Sequence, residues 1–308
     1  MPSLPERVAQ GADRVLDRVH RRLKRYLDRD QLAAKKDLQL TLGKAYERQW
    51  HGFPCVFALS TGRTGTQTIA GLLALSPKVL AQHEPSPRLV RASYEAFMDE
   101  REGWMDRWRP FALAVRDDFV LEACAEGRIY VESNNRITYM AAAFAEAFPD
   151  SRFIFSHRDP FQVIRSGMQR GAYQGGHMAW NFARIHPRSD DPARERWDDY
   201  GDLEREAWRW ARINGDAKAF FDSLPASRRL ELPARTFFSN DMKIYRALFD
   251  FVGVACPPEA EIRGVMGKQL NAQAHFNGQE FEWTDEARAL VRPIVGPVAE
   301  RLGYRISD

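Results

Sequence analysis

Four hydroxyl side chains, two glycines and one arginine fill the seven consecutive positions Ser60–Thr66. Gly62 and Gly65 let successive backbone N–H groups turn toward one point, and Thr61, Arg63, Thr64, Thr66 and Gln67 place further donors around it. The apolar run Cys55–Leu59 precedes the loop, and Ile69, Leu72, Leu73 and Leu75 follow at helical spacing. Strand, glycine turn and helix N-terminus together make an anion cradle, so phosphate or sulfate is the expected ligand. A nucleoside-triphosphate P-loop would read G-x-x-x-x-G-K-[ST], and this loop has neither that spacing nor its lysine.

A second segment has matching chemistry. Arg158 precedes Asp159 and Pro160, a good N-cap and first helical residue, and Ser166 lies two turns into the helix they open. A guanidinium fork and a hydroxyl so spaced can grip one phosphate. His83-Glu84 and Glu132-Ser133-Asn134-Asn135-Arg136 each follow a further apolar run and bring acid, base and amide groups.

These four segments need a scaffold that gathers them. Runs at 55–59, 79–81, 128–131 and 152–156 read as strands, with helical periodicity after each, and Arg229–Leu232 reads as a last strand. Alternating strands and helices predict an α/β fold, a mostly parallel sheet covered by helices on both faces. In such sheets ligands bind beyond the carboxyl ends of the strands, where all four segments lie. Helices are expected over 88–125, 137–148, 203–222, 239–252 and 285–302, with 264–283 loop-like and 171–200 a lid or insertion.

The chain resembles the sulfotransferases that use 3′-phosphoadenosine 5′-phosphosulfate, a P-loop-like architecture. Their fingerprint pairs a 5′-phosphosulfate cradle, here Ser60–Thr66, with R-[ND]-P-x₅-S for the 3′-phosphate, here Arg158 through Ser166. Phe249–Val254 and the ending from Trp283 to Tyr304 are similar to later family features, and Lys268 occupies the place of the cofactor-covering loop. The resemblance implies that donor, with 3′-phosphoadenosine 5′-phosphate as product, and a hydroxyl or amine acceptor on a glycan, lipid or small molecule. It implies Arg63 as the stabiliser of the leaving phosphate and Glu84 as the base, with His83 the alternative. Ser133 and Asn134 would donate to sulfuryl oxygens where many relatives carry Lys or His. No metal is expected, because Arg and N–H groups can meet the donor's charges. The competing readings are a nucleotide kinase or phosphohydrolase and a non-catalytic nucleotide-binding relative.

Composition narrows the setting. The 308 residues are 44% hydrophobic and 28% charged, which excludes disordered and collagen-like classes. Three scattered cysteines, Cys55, Cys124 and Cys256, form no disulfide or zinc pattern. The expected location is cytoplasmic, since no signal-peptide core or membrane-spanning run is evident. The formal charge is +3, but residues 1–50 carry 12 Lys+Arg against 7 Asp+Glu, so the surplus is N-terminal and nucleic-acid binding has no support. Residues 1–50 are expected to form a basic amphipathic helical extension to a 51–308 domain. That helix either packs on the domain or a second subunit, making a homodimer, or attaches peripherally to anionic lipid.

Overall fold

The computed structural model describes residues 52–173, 184–267 and 280–306. The expected N-terminal helix and residues 174–183 of the expected lid lie outside the described residues. Strands β1 (Cys55–Leu59), β2 (Val79–His83), β3 (Ile129–Ser133), β4 (Arg152–Phe155) and β5 (Arg229–Glu231) form one sheet in the order β2-β3-β1-β4-β5. Every pairing is parallel. Parallel neighbours need crossovers, which here are supplied by helices and cover the faces.

The alternation of β1 sorts the core. Cys55, Phe57 and Leu59 point to one face, Val56 and Ala58 to the other, and all five are fully buried. On the first face lie helices α3 (Trp104–Ala125), α4 (Ala141–Ala147), α5 (Pro160–Met168), α6 (Asp202–Ser223) and α10 (Asp285–Arg301). Phe57 sits at the centre there, its ring 5.0 Å from that of Phe144. The second face is covered by α1 (Thr66–Leu73), α7 (Ala234–Phe237), α8 (Met242–Val252) and α9 (Glu259–Met266), through residues such as Leu72, Phe237, Leu248 and Ile262. With both faces dry, the strands read as unbroken apolar runs, and the expected α/β architecture is the observed one.

Several boundaries differ from expectation for local reasons. The helix expected over 88–125 is two, α2 (Val90–Met98) and α3, parted at Asp99–Gly103. Asp99 accepts hydrogen bonds from Arg101, Arg107 and Trp108 there, and Gly103 turns with φ 69°. The helix expected from 137 starts as a 3₁₀ turn, Asn135–Met140, before α4. Thr138 in that turn exchanges hydrogen bonds with both the N–H and the carbonyl of Ser60, each 3.0 Å. The segment expected to be loop-like from 264 begins with the end of α9. Residues 184–200 of the expected lid are partly core: Ile185 is fully buried with Phe97, Trp208 and Ile213. Trp208 and Trp210 are buried in α6. Among the described residues, no helix is long and apolar enough to cross a membrane.

Candidate active site

The sheet order brings the carboxyl ends of β4, β1, β3 and β2 side by side, and a cavity of about 390 Å³ opens above them. That volume is in the range of small-ligand sites. The loop after β1 and the start of α1 contribute Thr61, Gly62, Arg63 and Thr66, the end of β2 and its following loop His83, Glu84 and Arg88, and the turn after β3 Asn135 and Arg136. Helix α5 and its end add Ser166, Gly167 and Arg170, and α6 adds Arg209.

The cradle is shaped by left-handed backbone. Gly62 (φ 78°), Arg63 (φ 62°) and Gly65 (φ 96°) all lie in that region, which wraps the chain tightly before α1. A Cβ on Gly65 would come within 2.7 Å of the Phe238 ring, so close approach as well as φ requires glycine. No side chain caps α1, leaving its first-turn N–H groups, which have no intrahelical partners, for an anion.

The two sequence motifs meet in space. Arg63 Nε donates to Ser166 Oγ at 3.0 Å, across 103 positions of sequence. Arg158 stands behind them: Nη1 donates to the Arg63 carbonyl at 3.1 Å and Nε to Gln162 Oε1 at 2.6 Å. Asp159 accepts from Gln162 N and caps α5, with Pro160 in the first turn. Burial pulls the Arg63 guanidinium below its ordinary pKa, and the neighbouring charges of Arg170 and Arg158 pull it further. Three cations so close favour an anion between them. Arg170 Nε is moreover buried with no hydrogen-bond partner among the described residues.

At the other end of the cavity, His83 Nδ1 lies 2.9 Å from the Ser133 carbonyl. A carbonyl can only accept, so Nδ1 carries the proton in a neutral ring and Nε2 keeps a lone pair. Glu84 follows with φ 45°, a left-handed conformation for a non-glycine residue, and its N–H donates to the same carbonyl at 3.3 Å. The strained turn places both side chains on the cavity wall.

Other expected residues are differently placed. Asn134 is fully buried, its Nδ2 donating to Glu132 and its Oδ1 accepting from Arg136 N, so both ends are committed. Ser133 is still in β3, in register with His83, and its hydroxyl is buried without a partner. Neither of these two lines the cavity, where the turn after β3 presents Asn135 and Arg136 instead. Thr64 is fully buried below the cradle, and its carbonyl accepts from Ser156 Oγ. Gly65 lies against Phe238, while Gln67 is half-buried in the first turn of α1. Lys268 lies outside the described residues. Among the described residues no group of His, Cys, Asp or Glu is arranged to hold a metal ion.

Sequence reasoning missed Arg209 and gave no separate role to Arg88 or Arg136. Arg209 sits in a helix read only for its apolar face. Its guanidinium pairs with the buried Glu206, Nε to Oε2 at 2.8 Å, and lines the cavity. An arginine at 88 or 136, just past a strand end, was the available signal.

A parallel α/β sheet with a glycine cradle beyond its central strand and arginines around a cavity at the strand ends has the geometry of an anion-binding site. The chain belongs to the sulfotransferase family: the family model matches residues 54–258. Members of that family take 3′-phosphoadenosine 5′-phosphosulfate as donor. The fold is similar to the sulfotransferase domain from the curacin biosynthetic pathway, at 14% identity and TM-score 0.49 over 83% of this chain and 99% of that one. It is also similar to a sulfotransferase from Mycobacterium avium (14%, 0.49, 85% and 81%) and to one from Alicyclobacillus acidocaldarius (15%, 0.48, 82% and 96%). No curated protein matches the chain.

Proposed function

We propose that this chain moves a sulfuryl group from 3′-phosphoadenosine 5′-phosphosulfate to a hydroxyl or amine acceptor. The observation that carries the reading is the Arg63–Ser166 hydrogen bond, which joins the two donor motifs at one cavity. The residues suit the donor's charge: the α1 N-terminus, Thr61, Arg63 and Thr66 for the 5′ side, and Ser166 and Arg170 on the cavity wall, with Arg158 bonded behind them to the Arg63 carbonyl, for the 3′-phosphate. When bound, the donor supplies the sulfuryl sulfur, whose bond to the phosphate oxygen breaks as the bond to the acceptor oxygen or nitrogen forms. Arg63 stabilises charge on the departing phosphate, because an arginine holds its proton and acts electrostatically. Glu84 takes the acceptor proton. His83 is the second reading for the base, favoured by the free Nε2 lone pair that its bond to Ser133 leaves.

The test is nucleotide binding by calorimetry. Wild type should bind 3′-phosphoadenosine 5′-phosphate more tightly than adenosine 5′-monophosphate, and Arg158→Ala should remove about tenfold or more of that preference, the worth of one charged hydrogen bond. Equal affinity for the two nucleotides in wild type, or equal losses for both in the variant, would overturn the assignment.

A further inference from the structure

Among the described residues, the cavity wall carries five arginines, Arg63, Arg88, Arg136, Arg170 and Arg209, against one carboxylate, Glu84. Their distribution along the sheet edge separates them. Arg63 and Arg170 stand with Arg158 over the ends of β1 and β4, where the phosphates of the proposed donor belong. Arg136 follows β3, and Arg88 follows β2, the edge strand at whose end Glu84 also stands. In-line transfer puts the acceptor on the side of sulfur away from the leaving phosphate. With the cradle on β1 and the base on β2, that side is the β3–β2 end.

Arg136 and Arg88 are thus surplus to the donor. Among the described residues neither makes an ion pair with a carboxylate, unlike Arg209, which Glu206 neutralises. Burial presses on the charge of Arg136, Arg209 adds repulsion, and Glu84 opposes both. An uncompensated, half-buried guanidinium on a cavity wall is costly unless a ligand anion meets it.

We propose that the acceptor is itself an anion: a hydroxyl or amine compound bearing a carboxylate or phosphate, held by Arg136 and Arg88 while its nucleophile faces Glu84. This rests on the sulfotransferase reading. A neutral alcohol would leave the half-buried Arg136 without a partner once the cavity is filled, so this arginine selects for charge as well as position, and the exposed Arg88 adds to the attraction.

The experiment titrates the full chain, saturated with 3′-phosphoadenosine 5′-phosphate so that the donor's anion sites are occupied. The probes are glucuronate and glycerol 3-phosphate, with glucose and glycerol as their neutral counterparts. The two arms distinguish carboxylate from phosphate as the preferred group. At least one anion should bind about tenfold or more tightly than its neutral partner, and Arg136→Gln should erase that preference. Arg88→Gln, at an exposed position, should weaken it by about threefold to tenfold and serves if Arg136→Gln does not fold. Both variants should hold the nucleotide within about twofold of wild type.

Absence of any anion preference, or a preference that survives both substitutions, overturns the proposal. So does a variant that loses nucleotide affinity as much as anion affinity, since that assigns its arginine to the donor. Failure of wild type to bind the nucleotide at all is a different result: it removes the sulfotransferase reading, and the anionic acceptor falls with it.

Discussion

Two buried arginine–glutamate pairs flank the site, and they do different work. Arg116 and Glu132 are both sealed from water beneath the β3 end. Glu132 accepts from Arg116 through both oxygens, and also from Tyr130 and Asn134. Arg116 reaches on to the Pro87 carbonyl, tying the β2 loop that bears Glu84 and Arg88 to the core. Arg209 and Glu206 form the second pair, but here only the glutamate is sealed, and the guanidinium opens on the cavity. Burial opposes the charge of Arg209, yet the Glu206 carboxylate outweighs it and raises its pKa. The same two side chains thus anchor a loop in one place and present a fixed cation in the other. What separates them is whether water can reach the arginine.

The sharpest way to break the comparison is Glu132→Ala. It strands the sealed Arg116, so it should destabilise the fold by about 3–5 kcal/mol in denaturant unfolding. Glu206→Ala should cost less, about 1–3 kcal/mol, because Arg209 can turn to solvent in the cavity. Equal losses from the two would mean that the opening on the cavity does not matter energetically. Gly167 refines this point. A Cβ there would lie 2.1 Å from Glu206 Oε1, so Gly167→Ala must push the glutamate off its arginine. Gly167→Ala should cost about 1–3 kcal/mol alone and less in the Glu206→Ala background, a non-additivity that a double-mutant cycle reads directly.

The smallest effect belongs to an Asp–Arg cluster nearer the surface. Hydrogen bonds from Arg101, then Arg107, hold the Asp99 carboxyl well below the usual carboxylate range. A depressed folded value means its stabilisation is complete above the ordinary aspartate pKa of about 3.9 and disappears as pH falls through the depressed one. Asp99→Asn should therefore be less stable than wild type at neutral pH, with the gap closing in strong acid. A gap of constant size across that range would show that packing of the loop, and not charge, is what Asp99 supplies.

Local chemistry was legible where one segment contains all its causes. The cradle needs a strand, two left-handed glycines and a helix start within about a dozen residues, and Ser60–Thr66 with its flanks contains them all. Asp159 and Pro160 announced the start of α5 in the same way. The fate of Asn134 was not legible, because its amide is claimed by Glu132, whose own carboxylate is claimed by Arg116 from another helix. Arg209 was hidden for a similar reason: an apolar periodicity says which face of α6 is buried, not which of its charges reaches a cavity.

From sequence alone came the parallel α/β class, the two paired loop motifs and the family they resemble. These follow from backbone periodicity and from glycine and proline positions, which act over a few residues. The order β2-β3-β1-β4-β5 was decided only in three dimensions, and with it the line of arginines from Arg158 to Arg88. Strand order depends on which apolar faces pack together across the whole chain. Arg63 and Ser166 meet because β1 and β4 are neighbours, and Arg136 stands between the cradle and Glu84 because β3 lies between β1 and β2.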